Sequence, residues 1–373
     1  MDFSLTDEQT ALSELANTIM TDRCTLERLK AIEASDARID RDLWAELAKA
    51  GLLGAALPEA AGGSGGSFVD ACLVLEQQGR HVAMIPLLHT IISGALPLVR
   101  FGSPAQQQRY LPGVVSGETI LTAALGELRS DPRAPATTAT PDGARWRLNG
   151  VKTTVPVAHL ATSILVPAQT PNGRIGVFLV DPNAAGVTLT RQETMNWEAQ
   201  FHMELADVVV ADGAVLGSIE QGAAILAWIV DRTTVGICAI QAGVCQVALK
   251  TTAEYASNRK QFDKPIAMFQ AVGQRMADSY IDNEAVNLTM WQAATRLADE
   301  MPAPKEIATA KYWAAEGGSR IGHAALHIHG GISIDVDYPI HRYFMWAKQN
   351  EYTLGAATPQ LVRLGALLAA EPA

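Results

Sequence analysis

The sequence predicts an α+β chain in three sections: an α-helical domain over 1–118, a small antiparallel β domain over 119–217, and a four-helix bundle over 218–373. Three observations carry this. Before 118 and after 217, apolar residues recur at three- and four-residue steps, the period of a helix with one buried face. Between them lie short β-branched runs set apart by Gly, Pro, Asn and Asp, which punctuate strands. At 373 residues and 48% hydrophobic, the chain exceeds one core and can fill two or three.

In the first section, helices are expected over Leu5 to Met20, Arg41 to Ala50, Asp70 to Ala83 and Pro104 to Leu111. Pro58 to Gly66, PEAAGGSGG, reads as a glycine-rich connection. It lacks the Lys-Ser/Thr ending whose charge a phosphate-cradling loop needs. In the second section, Asn149-Gly150 between alternating residues predicts a hairpin turn, because both tolerate positive φ. Ile164 to Val166, Val177 to Val180, Val187 to Leu189 and Val208 to Val210 are the expected strands of a small antiparallel sandwich or barrel. In the third, Ile225, Ile229, Thr233, Gly236, Ile240, Val244 and Val247 define one long buried helical face, with Pro265 expected to stop that helix. Val272, Met276, Tyr280 and Glu284 begin a second helix, and Pro304 suits the first turn of a third.

A net charge of −10 disfavours nucleic acid as a partner, since phosphate recognition depends on basic surface. The first twenty residues show no basic start followed by an apolar run, so no secretory signal is visible. No uninterrupted apolar stretch reads as long enough to span a bilayer. Cys24, Cys72, Cys238 and Cys245 form no CxxC pair. The expectation is a cytoplasmic, thiol-reduced protein. His323, His327 and His329 raise a metal question. However, 327 and 329 cannot share a face of one continuous helix, and no carboxylate or cysteine stands at ligand spacing, so no metal is expected.

Four strings occur in the right order across these textures: Phe3-Ser-Leu-Thr-Asp-Glu-Gln9; Leu57-Pro-Glu-Ala-Ala-Gly-Gly63; Arg259-Lys-Gln-Phe262-Asp-Lys-Pro265 with Phe269-Gln270; and His327-Ile-His-Gly330-Gly331 with Asp337-Tyr-Pro339. Together they resemble the acyl-CoA dehydrogenase family. The resemblance implies that a carboxylate removes the proton next to a CoA thioester carbonyl while hydride leaves the neighbouring carbon for FAD. It also implies an FAD that lies between two subunits, one holding the ring and the other reaching its pyrophosphate and adenosine end. The physical needs are a base within hydrogen-bond reach of that proton and donors aimed at the thioester oxygen.

Carried over position by position, the resemblance leaves this chain short of a base. The late glutamate of many members falls on Leu354, followed by Gly355, with Ala356 in place of a threonine; Glu351 is nearby. The alternative base position, on the long first C-terminal helix, falls on Thr233. Asp231 lies two residues earlier, about 200° round a helix, and is the carboxylate to consider if a base exists here. Of the ring-holding Thr-Glu-Pro and Gly-Ser-Asp strings only Ser130-Asp131 is matched, and after Gly150 and Lys152 the ring-packing Trp and ring-bonding Thr fall on Thr154 and Pro156. Proline has neither hydroxyl nor backbone donor. By contrast, the residues that the resemblance implies reach a neighbour's FAD are kept: Arg259, Phe262, Gln270, Gly330 and Gly331, with His327 replacing a usual glutamine. A guanidinium fork suits a pyrophosphate, and glycines let backbone approach it.

The resulting expectation is a partner subunit in an α2β2 hetero-oligomer, completing the FAD site of a second, base-bearing chain. It resembles the heterotetrameric actinobacterial dehydrogenases that act on CoA thioesters of cholesterol side chains. The rivals are a self-sufficient homotetramer using Asp231 or Glu351 as base, and a non-enzymatic CoA-ester-binding or scaffold subunit.

Overall fold

The computed structural model describes residues Phe3 to Ala370; 1–2 and 371–373, the outer ends of the expected first and third sections and the start of the stretch read for a signal, lie outside the described residues. Capping chemistry sets the first helices. Thr6 caps α1 (Asp7–Arg23) in a reciprocal box with Gln9, satisfying end amides that the helix cannot. After α2 (Leu26–Glu33), Asp40 accepts from Leu43 N to start α3 (Arg41–Lys49). Next come α4 (Phe68–His81), a π-helical stretch over Leu88–Ala95, α5 (Leu96–Phe101), and α6 (Pro104–Val115), which opens on a Ser103–Gln106 box. The sequence reading missed α2, the π-helical stretch and α5.

The chain forms two compact units. One is built from residues 32–67 and 84–233 and carries the sheet. Its strands are β1 (Leu121–Ala123), β2 (Thr138–Asp142), β3 (Arg145–Pro156), β4 (Ser163–Gln169), β5 (Ile175–Val180), β6 (Val187–Gln192) and β7 (Gln200–Ala211), in the order β1-β4-β2-β3-β7-β6 with β5 on β4. Most pairs are antiparallel, but β1 and β2 each run parallel to β4, so the sheet is mixed rather than purely antiparallel. Its core is the alternate inward face: Leu148, Val155, Ile164, Val166, Phe178, Met203 and Val208 are buried together.

Asn149-Gly150 does not form the hairpin turn. The chain reverses at Gly143, with φ +64°, between β2 and β3, whereas Gly150 sits at a register shift inside β3. The Asn149 side chain is engaged there with Asp207, accepting from its backbone N–H at 2.8 Å. A Cβ at position 150 would meet Thr137 at 2.7 Å. Gly150 therefore serves close strand packing, not a turn.

The other unit comprises the chain up to Ala31, Phe68–Ala83, and residues from Thr234 on. Its helices are α1, α4, most of α7 (Gly222–Asn258), α8 (Gln270–Ala298), α9 (Pro304–His329), α10 (Ile340–Tyr352) and α11 (Ala357–Ala369). Among the described residues, five α-helices follow residue 218 where four were expected. α4 and α7 pack at glycines: a Cβ on Gly79 would meet the Ile240 carbonyl oxygen at 1.9 Å, and one on Gly243 the Glu76 oxygen at 2.1 Å. Pro265 does not end α7. The helix stops at Asn258, and a hairpin of β8 (Lys260–Gln261) and β9 (Lys264–Pro265) follows, turning through Phe262 and Asp263 at φ +52° and +62°.

α7 also corrects the reading that no stretch is long and apolar enough to span a bilayer. By length and composition it is, and 72% of its most apolar window is buried inside the protein. All four cysteines are free thiols, and burial pushes Cys238 up to about 12.

Candidate functional site

The retained residues sit at one end of the helical unit. Tyr255, in the last turn of α7, stacks on His329, the last residue of α9, with ring centroids 4.3 Å apart. Arg259 leaves α7 four residues after Tyr255, and Gly330 leaves α9 one residue after His329, so the two segments start from one junction. Backbone bonds fix the hairpin at that point: Arg259 N–H donates to Tyr255 O, and the Arg259 carbonyl accepts from Ile266 N–H, both at 2.8 Å. Phe262 packs edge-on against Phe269 at 6.2 Å, which ties the hairpin to the start of α8, where Gln270 is the first residue.

Each of these side chains is presented outward. Arg259, Gln270 and His327 are exposed, and the Arg259 guanidinium pairs with no described residue. Phe262 is 87% exposed, in a left-handed conformation that a phenylalanine rarely adopts. A Cβ on Gly330 or Gly331 would meet nothing within 4 Å, and Gly330 takes φ +65°, ψ −140°, which is available essentially to glycine alone. Phe269 caps α8 without a side-chain acceptor, leaving first-turn amides to the surface. An unpaired guanidinium, uncapped helix amides and open backbone fit a pyrophosphate. His323 and His327 are exposed whereas His329 is 3% exposed with Nδ1 donating to Ala325 O, so the three do not converge.

The carboxylate positions differ in kind. α7 is helical without a break from Gly222 to Asn258, so nothing rotates Asp231 toward the direction of Thr233. Asp231 forms an ion pair with Arg133. Thr233 is buried, its hydroxyl donating to Ile229 O at 2.7 Å and bonded to Ser93 Oγ at 3.0 Å. Glu351 pairs with Lys348. Leu354 stands in a turn with φ +57°, before Gly355 at +99°. Gln360 Nε2 bonds the Leu354 carbonyl at 3.2 Å, and the fully buried Lys311 ammonium donates to the carbonyls of Asn350 and Glu351, each at 2.9 Å.

In the sheet-bearing unit the ring-side positions are already committed. Ser130 Oγ donates to Ala134 O at 2.7 Å, and Asp131 accepts from Arg133 N at 2.8 Å, which closes a local turn. Pro156 ends β3 and offers no donor. A residue missed by sequence reasoning stands here: Glu127 accepts from Lys152 Nζ at 2.6 Å, Thr137 Oγ1 at 2.6 Å, Thr137 N at 3.1 Å and Ala136 N at 2.5 Å. Burial pushes the Glu127 carboxyl up, but the bonds from Lys152, Thr137 and Ala136 outweigh it and hold it below the usual range. Lys152, fully buried, is pushed down to about 8 by burial despite its carboxylate partner. Of the positions that the resemblance gives to the ring, Ser130 and Asp131 are thus spent on a local turn and Pro156 brings no donor.

Family models match nearly the whole chain: acyl-CoA dehydrogenase N-terminal domain over 6–118, middle domain over 126–208 and C-terminal domain over 220–366. Acyl-CoA dehydrogenase FadE27 of Mycobacterium tuberculosis is 41% identical, with 100% of each chain covered. Among solved structures, the ChsE4-ChsE5 complex of M. tuberculosis is similar with TM-score 0.95 at 41% identity, covering 100% of each chain. The Tcur3481-Tcur3483 steroid ACAD is similar with TM-score 0.92 at 46% identity, covering 97% of this chain and 98% of that one.

Proposed function

The chain belongs to the acyl-CoA dehydrogenase family, and from that premise we propose that it is the partner subunit of a hetero-oligomeric enzyme, completing the FAD site of a second, base-bearing chain. One observation carries the reading. The helical unit presents Arg259, which pairs with no described residue, and the open Gly330-Gly331 backbone on segments that leave the stacked Tyr255–His329 pair, while the sheet-bearing unit has Pro156 at the position the family resemblance gives to a ring-bonding threonine.

In this reading each residue has a distinct task. Arg259 donates in a fork to the pyrophosphate oxygens, and the first-turn amides of α8 add partial positive charge. Gly330 and Gly331 let backbone approach where any side chain would intervene. Phe262 supplies apolar cover from the hairpin tip, and Gln270 and His327 donate at the adenosine end. FAD, when bound, accepts the hydride that leaves the acyl chain. The proton acceptor comes from the second chain, since Leu354 and Thr233 cannot serve and Asp231 and Glu351 are ion-paired.

The substrate class we propose is a CoA thioester of a steroid side chain, and the assembly two copies each of two related chains. Support comes from relatives: two similar solved structures are named as pairs of chains, and one is named a steroid ACAD. The test is to express the chain alone and with a related second chain, and to record the visible flavin spectrum and acyl-CoA dehydrogenation. Flavin and turnover only on co-expression support the reading; stoichiometric flavin and turnover from this chain alone would overturn it.

A further inference from the structure

His329 stands where three segments meet. Its ring stacks on Tyr255 from the last turn of α7, with centroids 4.3 Å apart and planes 24° apart. The Tyr255 hydroxyl also donates to the His329 carbonyl at 3.4 Å. A second ring, Tyr338, lies 5.3 Å away, tilted by 52°. Tyr338 belongs to the far end of the segment that leaves α9. From His329 the chain runs through Gly330 and Gly331 in a short 3-10 turn to Ile334, then reverses at Asp335, whose carbonyl accepts from Tyr338 N–H at 3.1 Å. The glycine-bearing loop therefore leaves His329 and returns to it.

The imidazole is held in one orientation, at a cost. Nδ1 bonds the Ala325 carbonyl at 2.8 Å, and since a carbonyl only accepts, Nδ1 carries the hydrogen. In the neutral ring Nε2 is then a bare acceptor, and it is buried with no hydrogen-bond partner among the described residues. Burial holds the ring below its usual pKa against the opposing Ala325 bond, which favours that neutral form. An unmet buried acceptor destabilises a fold, so a histidine retained here needs a reason beyond filling space. What the imidazole has and a plain hydrocarbon lacks is the Nδ1 bond, which fixes the plane that Tyr255 stacks upon.

Both segments that leave this stack carry residues of the candidate site. Arg259 N–H donates to Tyr255 O within its own helix end, and Gly330 N–H donates to Leu326 O within its own. These bonds shape each segment but not the spacing between the two, which the Tyr255–His329 stack spans. A guanidinium fork and an open backbone that must meet one pyrophosphate bind best when their spacing is fixed beforehand. Resting on the subunit reading above, we infer that His329 is a positioning residue of the shared FAD site, whose stacked ring holds Arg259 and the Gly330-Gly331 backbone in register. At 3% exposed it touches no cofactor atom itself and acts through its two neighbours.

The test begins on the full chain alone, where no flavin is needed, with hydrogen exchange read by mass spectrometry over 255–266 and 326–338. His329→Ala should speed exchange of the Arg259 and Gly330 amides, both bonded in the wild type, by about tenfold. Tyr255→Leu removes the other half of the stack and leaves α9 untouched, so it should do the same at Gly330 even where His329→Ala does not fold. His329→Phe keeps the stack and gives up the Ala325 bond, and should stay within about threefold of wild type. FAD titration of the stripped mixed complex follows. Tyr255→Leu should raise the FAD Kd about tenfold when Arg259 is present and less than about threefold in an Arg259→Ala background, a dependence that a general loss of packing does not produce. Unchanged exchange at Gly330 in Tyr255→Leu, or equal FAD losses in the two backgrounds, would overturn the inference and leave the subunit reading standing. Faster exchange in the chain alone, with an Arg259→Ala complex that keeps its full FAD affinity, would strike the subunit reading and this inference with it.

Discussion

Arg259→Ala separates folding from cofactor capture. The Arg259 side chain is exposed and unpaired, and only its backbone ties α7 to the hairpin, so alanine keeps every bond this chain makes at that position. The denaturation midpoint of the isolated chain should therefore move by no more than about 0.5 kcal/mol equivalent. In the mixed complex that we propose, the loss should be larger. A forked guanidinium–pyrophosphate contact comprises two charge-assisted bonds, and removing it should cost about 2–4 kcal/mol, a rise of about 30- to 1,000-fold in FAD Kd. Arg259→Lys should fall between, because an ammonium brings the charge without the fork. The assay is FAD titration of the stripped complex followed by flavin fluorescence, with subunit stoichiometry checked by size exclusion. An Arg259→Ala complex that binds FAD within threefold of wild type would refute the role, as would FAD loss accompanied by dissociation or unfolding.

Three further outcomes are expected. Asp231→Asn should leave turnover of the mixed complex within about threefold, because its carboxylate is spent on Arg133; a loss beyond a hundredfold would make it a base after all. Lys152→Met should destabilise the chain by about 3–5 kcal/mol by stranding buried Glu127, and Lys152→Met with Glu127→Leu should cost clearly less than the two single changes summed, as read by urea denaturation in a double-mutant cycle. Glu198 sets a pH dependence: its carboxyl is raised from 4.5 to about 7 in the fold, so the folded state holds the proton more tightly than the unfolded one. Its contribution therefore falls as pH rises from about 4.5 to 7, by about 3 kcal/mol in all, and comparing Glu198→Gln with wild type across that range should show the difference.

Legibility in the sequence followed the range of the interactions. Helices with local start signals, such as Asp40 before Arg41 and Ser103-Pro104, stand where capping chemistry puts them, because caps are settled within four residues. Asn149-Gly150 misled because a turn signal is local, whereas its outcome was decided by Asp207 in β7 and Thr137 just before β2, both distant in sequence. Pro265 misled in the opposite direction. The earlier stop needs Phe262 and Asp263 in left-handed conformations that neither residue advertises. The π-helical stretch is buried at seven of its eight residues, so no polar face marks it out in the sequence. Within the candidate site, spacing alone made Arg259, Gln270 and the glycine pair visible. Glu127 was invisible because its partner Lys152 lies 25 residues away and meets it only once the sheet has formed.

The turn at Leu354 illustrates how a scaffold and its chemistry can part company. Its bend is dictated from outside, by Gln360 gripping its carbonyl and by Lys311 pinning the end of the preceding helix, and the leucine side chain contributes nothing to that grip. A bracket of this sort keeps its shape whatever is mounted on it. The frame should therefore tolerate a change of side chain, and Leu354→Glu would set a carboxylate on the turn with its backbone bonds unchanged.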